Sequence, residues 1–467
     1  MQETSGMKKY DAIIIGAGQA GVPLAKKLAK AGKRTAIIEK RWLGGTCVND
    51  GCTPSKTMIG DARLAYVARQ AERIGLRTEG VVDINTIIDR KTGIVENARN
   101  GIYKSMREIP NLDLMMGTAT FTGPKELRVD YVSGNMEFLS ADLVFINTGA
   151  RAVIPEIEGI NEVGCLTSTS IMELREIPEH LVIVGGGYIA LEFAQLFCRL
   201  GSKVTILEKG PRILSKEDED VATEVGTILA EEGAGVITNV QVEKVARIPG
   251  GQTVISIHTD GGQQQISCSH WLIAAGRVPN TDELNLAKAG VKTNEKGYII
   301  TDERLQTTAQ DVYALGDVNG GPAFTHVAYN DHLIVLKNIL EEANLSAHNR
   351  IVPYCMFTDP ELGRVGMTEQ EAREKGFQVK VAKLKMANSA RGVESGETRG
   401  FMKAVVDEYS GQILGASILA AHGGEIVSVL QMAMMGSIPY ESIRNMMFAH
   451  PTFSESLNNL FMTLDKS

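Results

Sequence analysis

The segment at residues 12–21 reads AIIIGAGQAG, a short apolar run that leads directly into three spaced glycines, Gly16, Gly18 and Gly21. A helical periodicity follows, and then a second apolar run that ends at Glu39. A strand, a glycine-rich turn, a helix and a strand with a terminal carboxylate form the pattern of a dinucleotide-binding unit. The glycines permit the tight turn, the approach of a pyrophosphate and the packing of helix on strand, and Glu39 can accept hydrogen bonds from a ribose.

The same pattern occurs a second time at residues 181–190, which read LVIVGGGYIA. Gly185, Gly187 and Ala190 occupy the three fingerprint positions, and a later apolar run ends at Glu208. The first glycine and the carboxylate are separated by the same number of positions in both copies. A chain with two such copies is expected to bind two dinucleotides.

Composition limits the classes of protein to which the chain can belong. Its 467 residues suggest roughly three domains at about 150 residues each, and 43% hydrophobic residues are typical of a globular protein. The formal net charge of −8 argues against binding to nucleic acid or to an anionic membrane. No apolar run reaches the roughly 18 residues of a membrane helix, and residues 1–10 lack a signal-peptide core. We therefore expect a soluble, cytoplasmic protein with no nucleic-acid or membrane partner.

Between and after the two copies, the pattern alternates between strands and helices. Residues 83–111 are predicted to be helical and residues 112–139 to form a small antiparallel insertion. Beyond residue 351, β-rich segments precede a Met-rich helix, which indicates a separate α+β domain. Three further apolar runs end at glycine, and their closing residues are Thr148-Gly149, Gly276 and Gly316-Asp317.

Two of the six cysteines lie close together, in the segment GGTCVNDGCTPSK at residues 44–56. In a reducing compartment such a pair is more often catalytic or metal-binding than structural. Residues five apart in a regular helix have Cα atoms about 8.6 Å apart, whereas a disulfide needs roughly 4.4 to 6.8 Å. The backbone between Cys47 and Cys52 must therefore deviate, and Asp50-Gly51 offers the turn. A helix N-terminus at this place is expected to lower the pKa of a thiol.

The other cysteines stand singly and are predicted to be small buried packing residues. These are Cys165, Cys198, Cys268 and Cys355. No second Cys or His pair stands near residues 47–52 at ligand spacing, so the sequence predicts no metal site.

Together with Gly316-Asp317 and the segment HPTFSE at residues 450–455, these motifs give the chain a family resemblance over roughly residues 8–461. It resembles the FAD-dependent, class I pyridine nucleotide–disulfide oxidoreductases, which include dihydrolipoamide dehydrogenase, glutathione reductase and mercuric reductase. The resemblance implies an α/β fold with two Rossmann-like domains, for FAD and for NAD(P), and a C-terminal α+β dimerisation domain. The expected boundaries are 1–155 (FAD-binding domain, first part), 156–279 (NAD(P)-binding domain), 280–350 (central segment completing the FAD-binding unit) and 351–467 (dimerisation domain).

The resemblance also implies roles for the cysteine pair and its neighbours. Cys52 would lie against the flavin and form the charge-transfer thiolate, and Cys47 would be the exposed thiol that attacks the substrate disulfide. Lys56 would lie near the reactive edge of the flavin ring, and Glu192 matches the position of its ion-pair partner. Read on sequence alone, Lys56 and Glu192 are also compatible with solvated helix charges.

His450 and Glu455 are expected to complete the catalytic site. A histidine that titrates near neutral pH can take the proton from Cys47 and return it to the departing thiolate. A carboxylate five residues later can orient the imidazole through its second nitrogen. In the family that the chain resembles, this pair comes from the second subunit, so the resemblance implies a homodimer.

The remaining expected site residues bind the two dinucleotides. Those for FAD are Gly16, Gly18, Gly21, Glu39, Thr46, Thr148, Gly149, Gly316, Asp317, Thr325 and Ala328. Those for NAD(P) are Gly185, Gly187, Ala190, Glu208 and Gly276. A carboxylate at Glu208 repels a 2′-phosphate and favours NADH. Ala190 also occurs in members that use NADPH, and Lys209 and Arg212 stand close enough to offer counter-charge, so NADPH stays open.

The resemblance implies that electrons pass from NADH through FAD and the Cys47–Cys52 disulfide to a dithiol/disulfide substrate of the lipoamide type. His450 matches the disulfide-reducing members, because classical mercuric reductases carry a tyrosine there and a C-terminal Cys-Cys pair. The TPSK segment after Cys52 and the stretch at residues 357–366 are closer to mercuric-reductase-like proteins. Reduction of a soft metal ion, Hg(II) or Cu(II), is therefore the first alternative, and a flavin redox sensor is the second.

Overall fold

The computed structural model describes residues 6–77 and 81–466. The strands, numbered along the chain, are β1 (Lys8–Ile15), β2 (Thr35–Glu39), β3 (Leu112–Gly123), β4 (Glu126–Tyr131), β5 (Met136–Ile146), β6 (Ala150–Ala152), β7 (His180–Val184), β8 (Lys203–Leu207), β9 (Ala234–Ile237), β10 (Gln241–Arg247), β11 (Thr253–Thr259), β12 (Gly262–Cys268), β13 (His270–Ile273), β14 (Arg277–Pro279), β15 (Val312–Ala314), β16 (Tyr354–Met356), β17 (Glu361–Gly366), β18 (Val379–Lys385), β19 (Phe401–Asp407) and β20 (Ile413–Ala420).

The helices, numbered in the same way, are α1 (Gly21–Lys30), α2 (Gly45–Asn49), α3 (Cys52–Gln70), α4 (Ile84–Arg107), α5 (Ile160–Val163), α6 (Tyr188–Leu200), α7 (Glu219–Glu231), α8 (Thr325–Leu340), α9 (Glu369–Glu374), α10 (Ala390–Ser395), α11 (Gly423–Met435), α12 (Tyr440–Arg444) and α13 (Ser456–Met462). None of the helices in the described part of the chain combines the length and the apolar character that a membrane crossing requires.

The first compact unit is built from Met1–Thr57, Asn85–Val153 and Gly276–Arg350. In its sheet, β1 lies between β2 and β5, β15 pairs with the other edge of β5, and all four strands are parallel. The strands β3, β4 and β5 pair antiparallel and form the predicted insertion. Because β1 is covered on both faces, its inner residues Ile13 and Ile14 are fully buried, which is typical of a central parallel strand.

The second compact unit contains Met58–Ile84, Ile154–Ala275 and Ile351–Ser467. Its parallel sheet has the order β13-β7-β8-β9, and the antiparallel strands β10, β11 and β12 form a separate sheet. The C-terminal part is the antiparallel sheet β16-β17-β20-β19-β18, whose core includes Leu430 of α11 and Leu457 of α13.

The two units group the four predicted segments in pairs. The predicted central segment at 280–350 falls in the same unit as the N-terminal strands, and 351–467 falls in the same unit as residues 156–275, whereas residues 276–279 belong to the first unit. The helix α3 contributes its first six residues to one unit and the rest to the other. The four-part division with its boundaries stays a prediction.

Candidate functional site

The first glycine turn has the close backbone approaches that its sequence predicts. Gly16 has φ +100°, and a Cβ there would lie 2.3 Å from the Asn147 carbonyl oxygen. A Cβ on Gly21 would lie 2.1 Å from the Gly16 oxygen, and one on Gly18 would lie 2.8 Å from Asn147 Oδ1. Real side chains do not tolerate such distances, so these three positions require glycine. The turn therefore leaves bare backbone at the N-terminus of α1, which is the arrangement that receives a pyrophosphate.

The carboxylate at the end of β2 lies beside this turn. Glu39 Oε2 accepts a hydrogen bond from the Ala17 N–H at 2.9 Å, and Oε1 accepts one from the Arg41 N–H at 2.8 Å. These bonds hold the carboxylate at the mouth of the turn. Its place at the end of the second parallel strand is the one from which a ribose is bound.

Two more segments of the first unit approach the turn from the C-terminal ends of β5 and β15. Thr148 donates its hydroxyl hydrogen to the Asn280 carbonyl, and Asn280 Nδ2 donates back to the Thr148 carbonyl, both at 2.8 Å. The Gly316 N–H donates to Asp331 Oδ2 at 2.8 Å, and Gly316 has φ +72°. Thr148, Gly149 and Gly316 therefore lie on loops at the carboxyl edge of a parallel sheet, and their role in binding FAD stays a prediction.

Asp317 follows Gly316 and is half-buried. Burial raises the pKa of this carboxyl group, and the Arg277 guanidinium, whose Nη2 lies 3.6 Å from Asp317 Oδ2, opposes the rise. Ala328 lies on the first turn of α8, and its Cβ would be 3.0 Å from a Cβ on Gly316. A small residue at position 328 thus keeps α8 close to the Gly316-Asp317 turn.

The cysteine pair sits on two helices that a turn separates. Cys47 lies within the short helix α2, and Cys52 is the first residue of α3. A Cβ on Gly51 would lie 2.9 Å from the Thr46 carbonyl oxygen, so the turn needs glycine there. The deviation predicted at Asp50-Gly51 is thus present, and the redox segment comprises two helices, of which α2 begins at Gly45 and α3 at Cys52.

All six cysteines, which lie in the described ranges, are in the thiol form. The Cys47 pKa is raised, first because its thiol hydrogen-bonds the Cys52 side chain and second because Cys47 is partly buried. This direction is opposite to the lowered thiol pKa expected from the helix N-terminus, because the Cys52 hydrogen bond and burial both raise the pKa of Cys47. Cys52 Sγ also lies 3.4 Å from the hydroxyl oxygen of Thr325, the first residue of α8. The structure therefore joins Cys47, Cys52 and Thr325 in one cluster.

The second glycine turn lies in the second unit, between β7 and α6. Gly185 has φ +115°, and a Cβ there would lie 2.5 Å from the Ala274 carbonyl oxygen. Gly187 is the N-cap of α6, and Ala190 is buried in its first turn. Glu208 accepts hydrogen bonds from the Gly186 N–H at 2.5 Å and the Gly210 N–H at 2.6 Å. The two fingerprints therefore share one local geometry, with the carboxylate bound to the N–H that follows the first glycine.

Three other expected residues are placed separately. Gly276 lies in the first unit with φ +128°, where a side chain would be strained, and Lys56 is half-buried on α3. Glu192 is 8% exposed on α6 and accepts the Phe357 N–H at 2.8 Å. Its burial argues against the simple solvated-charge interpretation that the sequence left open.

His450 and Glu455 lie in the second unit, on the loop before α13. The imidazole Nδ1 lies 2.9 Å from both carboxylate oxygens of Glu455, and the side chain of His450 is 67% exposed. A carboxylate bound to Nδ1 fixes the ring and leaves Nε2 directed away from it. The pair thus has the geometry of an oriented acid–base group with an accessible second nitrogen.

Sequence reasoning missed Asn147, whose amide lies against the first glycine turn. It was visible only as one polar residue after an apolar strand, and no short motif marks it. No group of three or more His, Cys, Asp or Glu side chains with the geometry of a metal site occurs in residues 6–77 and 81–466.

Comparisons with known proteins identify the family of the chain. The family model described as pyridine nucleotide-disulphide oxidoreductase matches residues 10–331, and the model for the dimerisation domain of that family matches residues 352–461. The chain is 41% identical over 459 residues to a probable pyridine nucleotide-disulfide oxidoreductase, RclA, of Escherichia coli, covering 97% of this chain and 99% of the relative. It is 37% identical to a mercuric reductase of Staphylococcus aureus, covering 98% of this chain and 83% of the relative.

Among solved structures, the Cu(II) complex of the HOCl-induced flavoprotein disulfide reductase RclA from Escherichia coli matches with a TM-score of 0.90. The sequence identity is 40%, over 98% of this chain and all of the solved chain. The predicted fold class is confirmed, with its dinucleotide-binding region and C-terminal dimerisation domain. The chain therefore belongs to the pyridine nucleotide-disulphide oxidoreductases, an FAD-dependent family of flavoprotein oxidoreductases that use a pyridine nucleotide.

Proposed function

We propose that this protein is a homodimeric, NADH-dependent flavoenzyme that reduces a disulfide substrate of the lipoyl type through Cys47 and Cys52. One observation carries the proposal: the Cys47 and Cys52 side chains are hydrogen-bonded to each other, and Thr325 at the N-terminus of α8 lies beside Cys52. A dithiol at this place can accept electrons from one side and deliver them to a substrate on the other. The family membership of the whole chain supports the same assignment.

The first unit fits FAD because its turn excludes side chains at three glycines and presents two further backbone loops. When bound, FAD supplies the two-electron chemistry that links the nicotinamide to the cysteine pair. The residues that would hold it are Gly16, Gly18, Gly21, Glu39, Thr46, Thr148, Gly149, Gly316, Asp317, Thr325 and Ala328. Their part is to bind and orient the cofactor.

The chemistry of this chain's own residues begins with the reduced pair. The Cys47 thiolate attacks one sulfur of the substrate disulfide, and the S–S bond breaks as a mixed disulfide forms. The Cys52 thiolate then attacks the Cys47 sulfur, which closes the Cys47–Cys52 disulfide and releases the second substrate thiolate. Two electrons pass to the substrate, and two protons make its two thiols.

The raised pKa of the Cys47 thiol means that the attack needs a base. We assign this role to His450, which takes the Cys47 proton and returns it to the departing substrate thiolate, while Glu455 orients the ring. The dimerisation domain supports a homodimer in which these two residues serve the cysteine pair of the partner subunit. Lys56 and Glu192 are proposed to act together beside the flavin.

Mixing two inactive variants, Cys47→Ser and His450→Ala, under subunit exchange tests the shared site. If the site combines residues of two subunits, each mixed dimer contains one intact site, and activity returns. If each subunit holds a complete site, no mixed dimer contains an intact site, and activity stays absent. The Cys47→Ser variant mixed with itself is the control.

NADH is the proposed reductant. The proposed NAD(P)-binding residues are Gly185, Gly187, Ala190, Glu208 and Gly276. Of these, Glu208 would accept hydrogen bonds from the ribose hydroxyls and repel a 2′-phosphate. Arg212 donates to the carbonyl oxygens of Ser215 and Glu217, so its guanidinium is already engaged. The ratio of kcat/KM for NADH to that for NADPH tests the preference, and a ratio below one would overturn it.

Reduction of Hg(II) or Cu(II) at the cysteine pair is the second candidate. Two similarities favour it, to a mercuric reductase and to a disulfide reductase whose structure is a Cu(II) complex. Thiolates are soft ligands that suit both ions. One NADH delivers two electrons, so it reduces one Hg(II) to Hg(0) or two Cu(II) to Cu(I).

The deciding experiment is steady-state NADH oxidation with lipoamide, Hg(II) and Cu(II) in parallel, with Cys47→Ser as the control in each assay. Faster turnover of lipoamide supports the first proposal, and faster turnover of a metal ion supports the second. Turnover with none of the acceptors would favour the redox sensor. We also propose a cytoplasmic location, which fractionation of the native host cells tests.

A further inference from the structure

The side-chain amide of Asn147 joins two turns that belong to the same proposed cofactor site. Asn147 follows β5 and is 7% exposed. Its Oδ1 accepts a hydrogen bond from the Gly21 N–H at 2.9 Å, and its Nδ2 donates to the Leu315 carbonyl at 2.8 Å. Gly21 closes the first glycine turn, and Leu315 directly precedes Gly316-Asp317. The buried side-chain amide of Asn147 thus accepts a hydrogen bond from one chain segment and donates one to another.

The bond to Gly21 serves as a helix cap that comes from outside the helix. The first N–H groups of an α-helix have no partner within the helix and need an acceptor. In α1 the N-cap residue is Ala20, which has no side-chain acceptor, and Pro23 has no N–H to satisfy. The N–H of Gly21 therefore takes its acceptor from Asn147, a strand-end residue far away in sequence.

Asn147 also explains why the turn is so close-packed. A Cβ on Gly18 would lie 2.8 Å from Asn147 Oδ1, and one on Gly16 would lie 2.3 Å from the Asn147 backbone oxygen. The glycine turn therefore packs against both the backbone and the side chain of Asn147. A shorter side chain at position 147 would remove this support and leave a buried N–H and a buried carbonyl without partners.

We propose that Asn147 is a positioning residue that holds the turns at residues 16–21 and 315–317 in their FAD-binding arrangement before the cofactor binds. The inference rests on the proposed FAD site in the first unit. A site that is already ordered loses less conformational entropy on binding, so its affinity is higher. Without the amide, FAD itself would have to order both turns.

The test compares FAD binding by the wild-type apoprotein, Asn147→Ala and a matched control, Asn338→Ala. Asn338 on α8 also uses both ends of its amide, since it donates to the Leu345 carbonyl at 2.8 Å and accepts the Leu345 N–H at 2.6 Å. It lies in the same unit but outside both turns. We expect the dissociation constant for FAD to rise about tenfold or more in Asn147→Ala, because two buried hydrogen bonds are lost, and to stay unchanged in Asn338→Ala.

Hydrogen exchange provides the readout that a general loss of stability would not give. In Asn147→Ala, FAD-induced protection of residues 16–21 and 315–317 should exceed that in wild type. In Asn147→Asp, which keeps Oδ1 but cannot donate, exchange should increase at 315–317 while the Gly21 N–H stays protected. This second variant has nearly the volume of the native residue and serves if Asn147→Ala fails to fold.

Two outcomes overturn the inference in different ways. If wild type binds FAD and Asn147→Ala binds it with the same constant and the same protection, Asn147 is not a positioning residue, and the proposed function stands. If the wild-type protein does not bind FAD, the proposed function fails together with the inference.

Discussion

The imidazole Nδ1 of His450 lies 2.9 Å from both carboxylate oxygens of Glu455. Such a bond fixes one tautomer and one orientation of the ring, so that Nε2 can serve as a proton acceptor and donor. The two residues are five positions apart on the loop before α13, and Glu455 is itself held by a hydrogen bond from its N–H to Thr452 Oγ1 at 3.2 Å. The backbone of the loop thereby positions the carboxylate that positions the histidine.

His450→Gln is expected to lower disulfide turnover about 10²- to 10⁴-fold, the usual contribution of a general acid–base group, and Glu455→Gln is expected to lower it less. Reduction of Hg(II) or Cu(II) needs no thiolate leaving group and should be spared in both variants. Parallel kcat measurements with lipoamide and the metal ions check this. An equal loss with all acceptors would show that His450 has a structural role instead.

Replacing Cys52 by Ala is expected to lower the pKa of the Cys47 thiol. The hydrogen bond to Cys52 is the largest cause of the raised Cys47 pKa, and burial remains after the substitution. The Cys47 thiolate should therefore appear at lower pH in Cys52→Ala than in the reduced wild-type enzyme. The pH dependence of alkylation at Cys47 by iodoacetamide, followed by mass spectrometry, measures this. An unchanged or higher pKa would contradict the proposed coupling of the two sulfurs.

Gly21→Ala is expected to yield a protein that has lost FAD, because its Cβ would lie 2.1 Å from the Gly16 carbonyl oxygen and the turn must open. Gly93→Ala is the matched control. Gly93 lies in α4 with open space around its Cβ position, so alanine there should stabilise the protein by about 0.5–1 kcal/mol. The ratio of flavin to protein absorbance and the thermal midpoint measure the two effects. Retention of FAD by Gly21→Ala would argue against this site.

Arg199→Ala is expected to lower the free energy of unfolding by about 3–5 kcal/mol, because it leaves buried carboxylates without their main partner. Arg199 is 3% exposed and pairs with Glu232 at 2.6 Å and Asp359 at 2.8 Å. Lys40→Ala is the control, because Lys40 forms an exposed ion pair with Glu283. No measurable change in the free energy of unfolding is expected for this variant. Urea denaturation of the two variants tests the contrast, which fails if both midpoints shift alike.

Stability is expected to fall with decreasing pH because of His332, which is fully buried on α8. Burial, together with the charge of Lys27, lowers the pKa of His332 to about 4. Below about pH 6.5 His332 binds a proton in the unfolded chain, whereas in the folded protein it stays neutral until about pH 4. The resulting loss across this window is on the order of 3 kcal/mol. In His332→Gln the glutamine can still accept a hydrogen bond from Lys27 Nζ. The thermal midpoint of this variant should depend less on pH between about pH 6.5 and about pH 4. An equal slope in the variant would exclude His332 as the cause.

The sequence by itself determined much of the fold and of the candidate site. The glycine spacing after an apolar run predicts a turn because only glycine permits the close approaches seen at Gly16 and Gly185. The predicted helix at 83–111 is present as α4, and the antiparallel insertion is present as β3 to β5. The spacing of Cys47 and Cys52 required a break between them, and Gly51 provides it. These features depend on local sterics and on periodicity, which neighbouring residues encode.

Other properties of the site depend on contacts between distant segments, and only the tertiary structure decided them. The Cys47 pKa is raised although a helix N-terminus would lower it, because the Cys52 side chain hydrogen-bonds its thiol and the site is partly buried. Asn147 caps α1 and contacts Leu315 across the sheet, a role that one polar residue after a strand does not reveal. Glu192 is buried against the Phe357 backbone, where the sequence alone also allowed a solvated charge. In each case the partner lies on another segment, so the energetics arise only when the chain folds.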